Sequence, residues 1–225
     1  AYSWDFNGDN VFDNVQQNPQ YIYSQTGNYG VKLEVQTQYG CVNTIIKSAY
    51  VNATPSVLFA AQNNVGCPSL CVKFTNNSTI SSGQIVTYQW FFGDNSGPDY
   101  TQNPTHCYGT GNYNVTLKAI SDSGCVSSSM LPNLVNAYPV PVADFAVTPT
   151  EVEITEPLIE VADKSVGAST VMYDMSDGTH KTDRNFAHTF VTNDAKTILI
   201  MQRVSNTYGC RDSSVKKVVI KPADV

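Results

Sequence analysis

The stretch Gly-Asn-Tyr-Asn-Val-Thr-Leu-Lys-Ala, residues 111–119, decides the fold class of this chain. Apolar and polar side chains alternate along it, which is the pattern of a half-buried antiparallel strand. The alternation recurs at residues 29–35, and other short β-rich runs are at 57–61, 72–75, 86–92 and 215–220. No segment has the periodicity of a helix. Strands this short, separated by turns, predict an all-β chain of two-sheet sandwiches.

This strand belongs to a motif that occurs three times, with Gly-Cys landmarks roughly 85 residues apart. The second copy reads Trp90-Phe91-Phe92-Gly93-Asp94, Asn103-Pro104-Thr105-His106-Cys107-Tyr108, residues 111–117 and Gly124-Cys125. The first copy reads Trp4-Asp5-Phe6-Asn7-Gly8-Asp9, residues 18–23 and 27–33, and Gly40-Cys41. A divergent third copy runs from Tyr173-Asp174-Met175 to Gly209-Cys210. We therefore predict three domains, 1–53, 54–138 and 139–225, the first without its N-terminal third.

Composition limits the classes of partner. Of 225 residues, 13 are basic and 19 acidic, giving a net charge of −6, and Lys216–Lys217 is the only basic doublet. A phosphate-binding surface needs clustered Lys and Arg, so we expect no nucleic-acid partner. No run reaches the ~18 apolar residues that span a bilayer, so we expect no direct membrane insertion. Six cysteines in a chain of low charge favour an oxidising, extracellular compartment.

Aromatic residues at matching places in the copies predict packing positions. These expected core residues are Trp4, Trp90, Tyr173, Tyr23, Tyr108, Tyr29 and Tyr113.

The Gly-Asp elements after the tryptophans are most simply interpreted as turns, and a calcium-binding loop is the more specific alternative. Candidate calcium ligands are Asp5, Asn7, Asp9 and Asp13. Asn10 stands where an EF-hand loop needs Gly, and Gln16 stands where it needs a bidentate acid. We therefore expect no cofactor, with calcium as the weaker alternative. The sequence has no hydrolase, metalloprotease, phosphate-loop or dinucleotide motif, so we expect no enzyme.

The cysteines predict disulfides. A zinc site built from Cys67, Cys71, His106 and Cys107 is disfavoured, because adjacent strand residues point to opposite faces. Four cysteines in the second unit allow three connectivities. Comparison of the copies favours Cys71–Cys107 and Cys67–Cys125, because the third copy has lost the residues equivalent to Cys71 and Cys107 together. Cys41 then lacks a partner, and Cys210 is interpreted as a buried free thiol.

The motif resembles the polycystic kidney disease (PKD) domain, an immunoglobulin-like sandwich, and the three copies together span the chain. The Gly-Cys ending of each copy is similar to tandem PKD modules in very large surface proteins of gliding Bacteroidota, which the type IX system secretes. This resemblance implies a non-catalytic extracellular spacer or adhesion stalk, with neighbouring PKD-like domains as partners and its surface or polymer ligand unidentified. The alternative is a substrate-binding accessory region of a secreted hydrolase, which needs a row of exposed aromatic residues. The candidates for that row are Tyr2, Tyr88, Tyr100 and Tyr138.

Overall fold

The computed structural model describes residues 1–223, and every regular element in that range is a β-strand. The chain is therefore all-β, as the alternating pattern predicted. The eighteen strands of residues 1–223 form three successive bodies, which we call unit one (β1–β3), unit two (β4–β10) and unit three (β11–β18).

Unit one is a single antiparallel sheet of order β1-β2-β3. Its strands are β1 (Tyr2–Asp5), β2 (Gly27–Gln36) and β3 (Val42–Val51). The apolar face carries Trp4 opposite Leu33, and both side chains are only partly buried. Trp4, Tyr23 and Tyr29 are therefore less buried than core positions should be, because no second sheet packs over this face within the described residues.

Unit two is a sandwich of two sheets, β4-β6-β8 and β5-β10-β9-β7. Its strands are β4 (Phe59–Gln62), β5 (Val65–Gly66), β6 (Leu70–Asn76), β7 (Ile85–Phe91), β8 (Thr105–Tyr108), β9 (Gly111–Ser121) and β10 (Val126–Ala137). The core lies between the sheets, where Trp90 is fully buried against Phe59 and Phe74. Burial of such large side chains is the main driving force for packing the two sheets.

Unit three repeats this arrangement with sheets β11-β13-β16 and β12-β18-β17-β14-β15. Its strands are β11 (Phe145–Thr148), β12 (Glu151–Glu153), β13 (Leu158–Asp163), β14 (Thr170–Met175), β15 (His180–Lys181), β16 (Asn185–Thr189), β17 (Lys196–Ser205) and β18 (Arg211–Lys221). Tyr173 takes the place of Trp90 and is fully buried. Its hydroxyl accepts a hydrogen bond of 3.0 Å from Nε2 of Gln202, which satisfies the phenol inside the core.

The tyrosines that open β2 and β9 have a specific local role. The Tyr29 hydroxyl donates to the carbonyl oxygen of Gln25 at 2.9 Å, and the Tyr113 hydroxyl donates to that of Gly109 at 3.2 Å. A tyrosine that bonds the backbone just upstream of its strand is the tyrosine corner of immunoglobulin-like domains. Both rings stay partly exposed because their hydroxyls reach a surface loop.

Candidate functional site at an interdomain junction

A disulfide joins units two and three. Cys67 in unit two is bonded to Cys210 in unit three, with Cα atoms 5.5 Å apart and a sequence separation of 143. The predicted pair Cys67–Cys125 is therefore wrong, and Cys125 is free. Cys210 is buried, as predicted, but it is not a free thiol. Comparison of equivalent positions inside one repeat carries no information about a bond between two repeats, which is why this pair was not predicted.

Strand β5 positions Cys67 at the end of unit two. This two-residue strand adds in parallel to β10, with Val65 opposite Asn136 and Gly66 opposite Ala137. The amide of Tyr138 then donates to the carbonyl oxygen of Gly66 at 2.8 Å. Cys67, the next residue, is consequently held beside the linker that leaves unit two.

A tight hairpin positions Cys210 at the facing end of unit three. The Asn206 side-chain oxygen accepts the amides of Tyr208 and Cys210, each at 3.0 Å. Gly209 has a φ of +84°, a left-handed conformation that a side chain disfavours. The hairpin therefore directs Cys210 toward the linker, where its sulfur lies 3.9 Å from the carbonyl oxygen of Tyr138.

Two further contacts fasten the linker to the hairpin. The rings of Tyr138 and Tyr208 are stacked, with centroids 3.8 Å apart and an angle of 9° between their planes. The Asn206 side-chain amide donates to the carbonyl oxygen of Pro139 at 2.7 Å. Pro139 and Pro141 restrict the backbone of the same linker. The junction is thus held by two covalent connections, a ring stack and a hydrogen bond.

The second disulfide, Cys71–Cys107, lies inside unit two. It joins directly opposite residues of β6 and β8, the pair that comparison of the copies favours. Both cysteines lie on the outer, exposed face of their sheet, whereas His106 points to the inner face. This orientation agrees with the expectation that His106 and Cys107 do not share a zinc ion.

Sequence reasoning missed a His–Asp pair beside the core of unit two. Nε2 of His106 lies 2.7 Å from Oδ2 of Asp94, and the imidazole stacks on Phe92. Burial opposes ionisation of Asp94, but hydrogen bonds from Ser96 and His106 outweigh it and lower its pKa from 3.8 to about 2. Unit three repeats the pair as His188 and Asp177, 3.0 Å apart. The signal was present in the sequence, because copies two and three have both residues and copy one has Tyr21 instead of the histidine.

The candidate calcium loop of unit one is filled by its own hydrogen bonds. The buried Asp5 carboxylate accepts the amides of Gly8 at 2.7 Å and Asn10 at 2.9 Å. Burial raises the pKa of Asp5, and these backbone donors overcome that effect, so that its pKa is lowered. Asp13 accepts the amide of Phe6, and the Asn7 side chain bonds Asp9. The loop therefore uses its oxygens to fold the turn, and residues 1–223 contain no group of three or more His, Cys, Asp or Glu arranged to hold a metal ion.

The four candidate ligand-binding tyrosines do not form one row. Tyr88 packs against the core of unit two, and Tyr138 is occupied by its stack with Tyr208. Tyr100 is 60% exposed, and Tyr2 lies on the separate sheet of unit one. Among the described residues no helix is long and apolar enough to cross a membrane.

Comparison with known proteins identifies the fold family. A model of the PKD domain matches residues 1–51 and 52–132, which is more than half of the chain. The chain belongs to the PKD domain family. A PKD1 domain of the metalloprotease PrtV from Vibrio cholerae is 28% identical over 38% of this chain and 99% of that domain, with a TM-score of 0.33. The PKD1 domain of Epp from Vibrio anguillarum is 25% identical over 39% and 99%, with a TM-score of 0.34.

The immunoglobulin-like architecture extends over all three units. The N-terminal eight Ig domains of Down Syndrome Cell Adhesion Molecule, isoform 1.30.30, align with 99% of this chain and 33% of that one. The identity is 13% and the TM-score is 0.51, so this likeness concerns the fold alone. The PKD chain is therefore all-β, with immunoglobulin-like sandwiches in units two and three.

Proposed function

We propose that this PKD chain is a non-catalytic extracellular spacer, a stalk segment of a larger cell-surface protein in which successive domains are held at a fixed angle. The observation that carries the proposal is the Cys67–Cys210 disulfide across the junction of units two and three. Domains joined by one linker usually move relative to each other unless their interface is large and apolar. A second covalent connection at the junction removes most of that freedom.

Several features of the junction support a mechanical role. The linker contains Pro139 and Pro141, and the stacked pair Tyr138 and Tyr208 covers it. Proline stiffens linkers because its ring fixes φ. The disulfides themselves support an oxidising location, since such bonds persist outside the cytosol. The resemblance to tandem modules of gliding Bacteroidota extends the proposal to a surface protein exported by the type IX system. Sequencing the genes that flank this sequence would test that extension.

The angle between units two and three tests the proposal. Replacing both cysteines of the junction, Cys67→Ser with Cys210→Ser, should widen the distribution of angles seen by electron microscopy of single molecules and by small-angle X-ray scattering. The matched control is Cys71→Ser with Cys107→Ser, which removes the disulfide within unit two and should leave the angle unchanged. An equal distribution in the native protein and the junction variant would contradict a stapled spacer.

The adhesive alternative has a separate readout. A pure spacer should show no saturable binding to polysaccharide or protein polymers in a pull-down with insoluble chitin, cellulose or collagen. Saturable binding that Tyr100→Ala abolishes would instead identify an accessory binding region.

A further inference from the structure

The hairpin that presents Cys210 occurs in all three units with the same hydrogen bonds. In unit two the amide of Ser121 donates to the carbonyl oxygen of Cys125 at 2.9 Å, and the Ser121 hydroxyl accepts the Cys125 amide at 3.0 Å. In unit one Thr37 makes the same two bonds with Cys41, at 2.9 and 3.1 Å. The glycine before each cysteine has a φ near +80°. Each unit therefore presents a cysteine in one geometry, and only the third is bonded.

The junction between units one and two repeats the surroundings of the Cys67–Cys210 bond. The β-sheet register aligns Val51 with Ala137, because each is opposite the glycine that opens the preceding strand. Asn52 is then equivalent to Tyr138, and Ser123 is equivalent to Tyr208 by the hairpin alignment. Asn52 and Ser123 line one cavity of about 370 Å³, as expected if they face each other like the stacked tyrosines.

One component of the junction is absent from the described residues. In unit two, β5 pairs with the outer edge of β10 and leads directly to Cys67. In unit one the equivalent outer edge, at Tyr50 and Val51 of β3, has no partner strand in residues 1–223. These two residues also line the 370 Å³ cavity, so the open edge and the Cys125 hairpin border the same junction.

We infer that Cys125 is the receiving half of a second interdomain disulfide. Its partner is an extended peptide segment that adds in parallel to β3 at Tyr50 and Val51 and has a cysteine directly after its two paired residues. The occupant has the chemistry of residues 64–67, Asn-Val-Gly-Cys, because that segment fills the equivalent edge of unit two. The inference rests on the proposed function, since it extends the interdomain disulfide of one junction to the other junction.

Unit three has no cysteine at the position equivalent to Cys67. The amide of Val219 donates to the carbonyl oxygen of Thr150, as the amide of Asn136 donates to that of Asn64. This register puts Glu153 at the position of Cys67. Unit three therefore accepts a disulfide through Cys210 and offers none from this position.

The chemistry balances with a small disulfide as oxidant. The thiol of the incoming segment first reacts with glutathione disulfide, giving a mixed disulfide and one molecule of glutathione. The Cys125 thiolate then attacks the peptide sulfur of that mixed disulfide, and glutathione leaves as its thiolate and takes up the proton. In total two thiols lose two electrons and two protons, and one glutathione disulfide becomes two glutathione molecules.

The native chain allows a direct test with the peptide Asn-Asn-Val-Gly-Cys-Pro-Ser, the sequence of residues 63–69, carried as its glutathione mixed disulfide. Cys125 should acquire the peptide at least about tenfold faster than Cys41, although Cys41 is the more exposed thiol. The rates are read by mass spectrometry of digested samples. A control peptide with Gly and Cys exchanged moves the thiol to the opposite face of the strand and should lose the preference. Equal rates at the two cysteines, or equal rates with both peptides, would overturn the inference.

A second form of the test makes the segment part of the chain, so that the result does not depend on the affinity of a free peptide. A second copy of residues 55–87 is placed before Tyr2, with the copied Cys71 changed to serine. Non-reducing peptide mapping should link the copied Cys67 to Cys125. A link to Cys41, within its own unit, or a free copied thiol would refute the inference. Neither result bears on the native Cys67–Cys210 bond, so the proposed function is tested separately.

Discussion

Units one and two share most of their motif residues, but the structure buries them differently. Trp90 is fully buried, with the rings of Phe59 and Phe74 within 5.5 Å, whereas Trp4 is partly exposed and stacks on Phe6 at 5.7 Å. Both indole N–H groups donate to a backbone carbonyl at 3.0 Å. The motif therefore specifies the local geometry of one sheet, and the strands β4 and β6 convert that sheet into a core.

The largest effect on the free energy of unfolding should come from replacing each of the two tryptophans in turn. Trp90→Ala leaves a cavity between two sheets and should cost about 3–5 kcal/mol, whereas Trp4→Ala should cost less than about 2 kcal/mol because solvent already reaches the ring. Differential scanning calorimetry should show the unit-two transition falling by at least about 12 °C in the first variant. Equal shifts in the two variants would show that the burial difference has no energetic consequence.

Hydrogen exchange should separate the equivalent strands β2 and β9 in the unmodified chain. Amides at residues 29–35 should exchange at least about a hundredfold faster than those at residues 113–119, because no second sheet within residues 1–223 packs on β2 and a single sheet opens locally at low cost. Mass spectrometry of peptic fragments measures both strands in one sample, so β9 is the internal control. Comparable protection, increasing with protein concentration, would indicate that a second chain covers unit one.

A pH titration should reveal the contribution of Asp94 to the stability of unit two. The folded pKa of about 2 lies below the unfolded value of 3.8, so its stabilisation is complete above pH 4 and is lost as pH falls from 4 to 2. The difference between the two pKa values corresponds to a loss on the order of 2 kcal/mol. Solvent screens this interaction little, because the Asp94 side chain is only 21% exposed. Asp94→Asn should flatten this part of the pH–stability curve of unit two, measured by urea unfolding at pH 2 to 5.

The smallest effect is expected at Ile45, which lies opposite Leu33 in unit one but is 51% exposed. Unit two has Ser129 opposite Leu117 at this place. Ile45→Ser should therefore change the free energy of unfolding by no more than about 0.5 kcal/mol. The contrasting change Leu117→Ala, at a fully buried site of unit two, should cost about 2–5 kcal/mol. A comparable loss in both variants would mean that the face of unit one is covered in solution.

Local pattern was sufficient for much of the fold. Alternation at residues 113–119 predicted β9, and the joint loss of two cysteines in copy three pointed to Cys71–Cys107, whose residues are opposite each other in adjacent strands. Such information is visible in sequence because period and covariation within one repeat reflect contacts within one sheet. The His106–Asp94 pair was equally readable, because copies two and three both have a histidine and an aspartate at these places.

The sequence by itself determined the strand period, the repeat and the sandwich class, since each depends on contacts inside one unit. The tertiary structure alone decided that Cys67 bonds Cys210, because that choice depends on which ends of two domains meet. A repeat length does not encode the orientation of neighbouring domains, which follows from the linker, the parallel strand β5 and the stacked rings of Tyr138 and Tyr208. Cys125 lies at the junction of units one and two and is free. The segment that we propose as its partner is not among the described residues, so the repeat alone could not reveal this bond either.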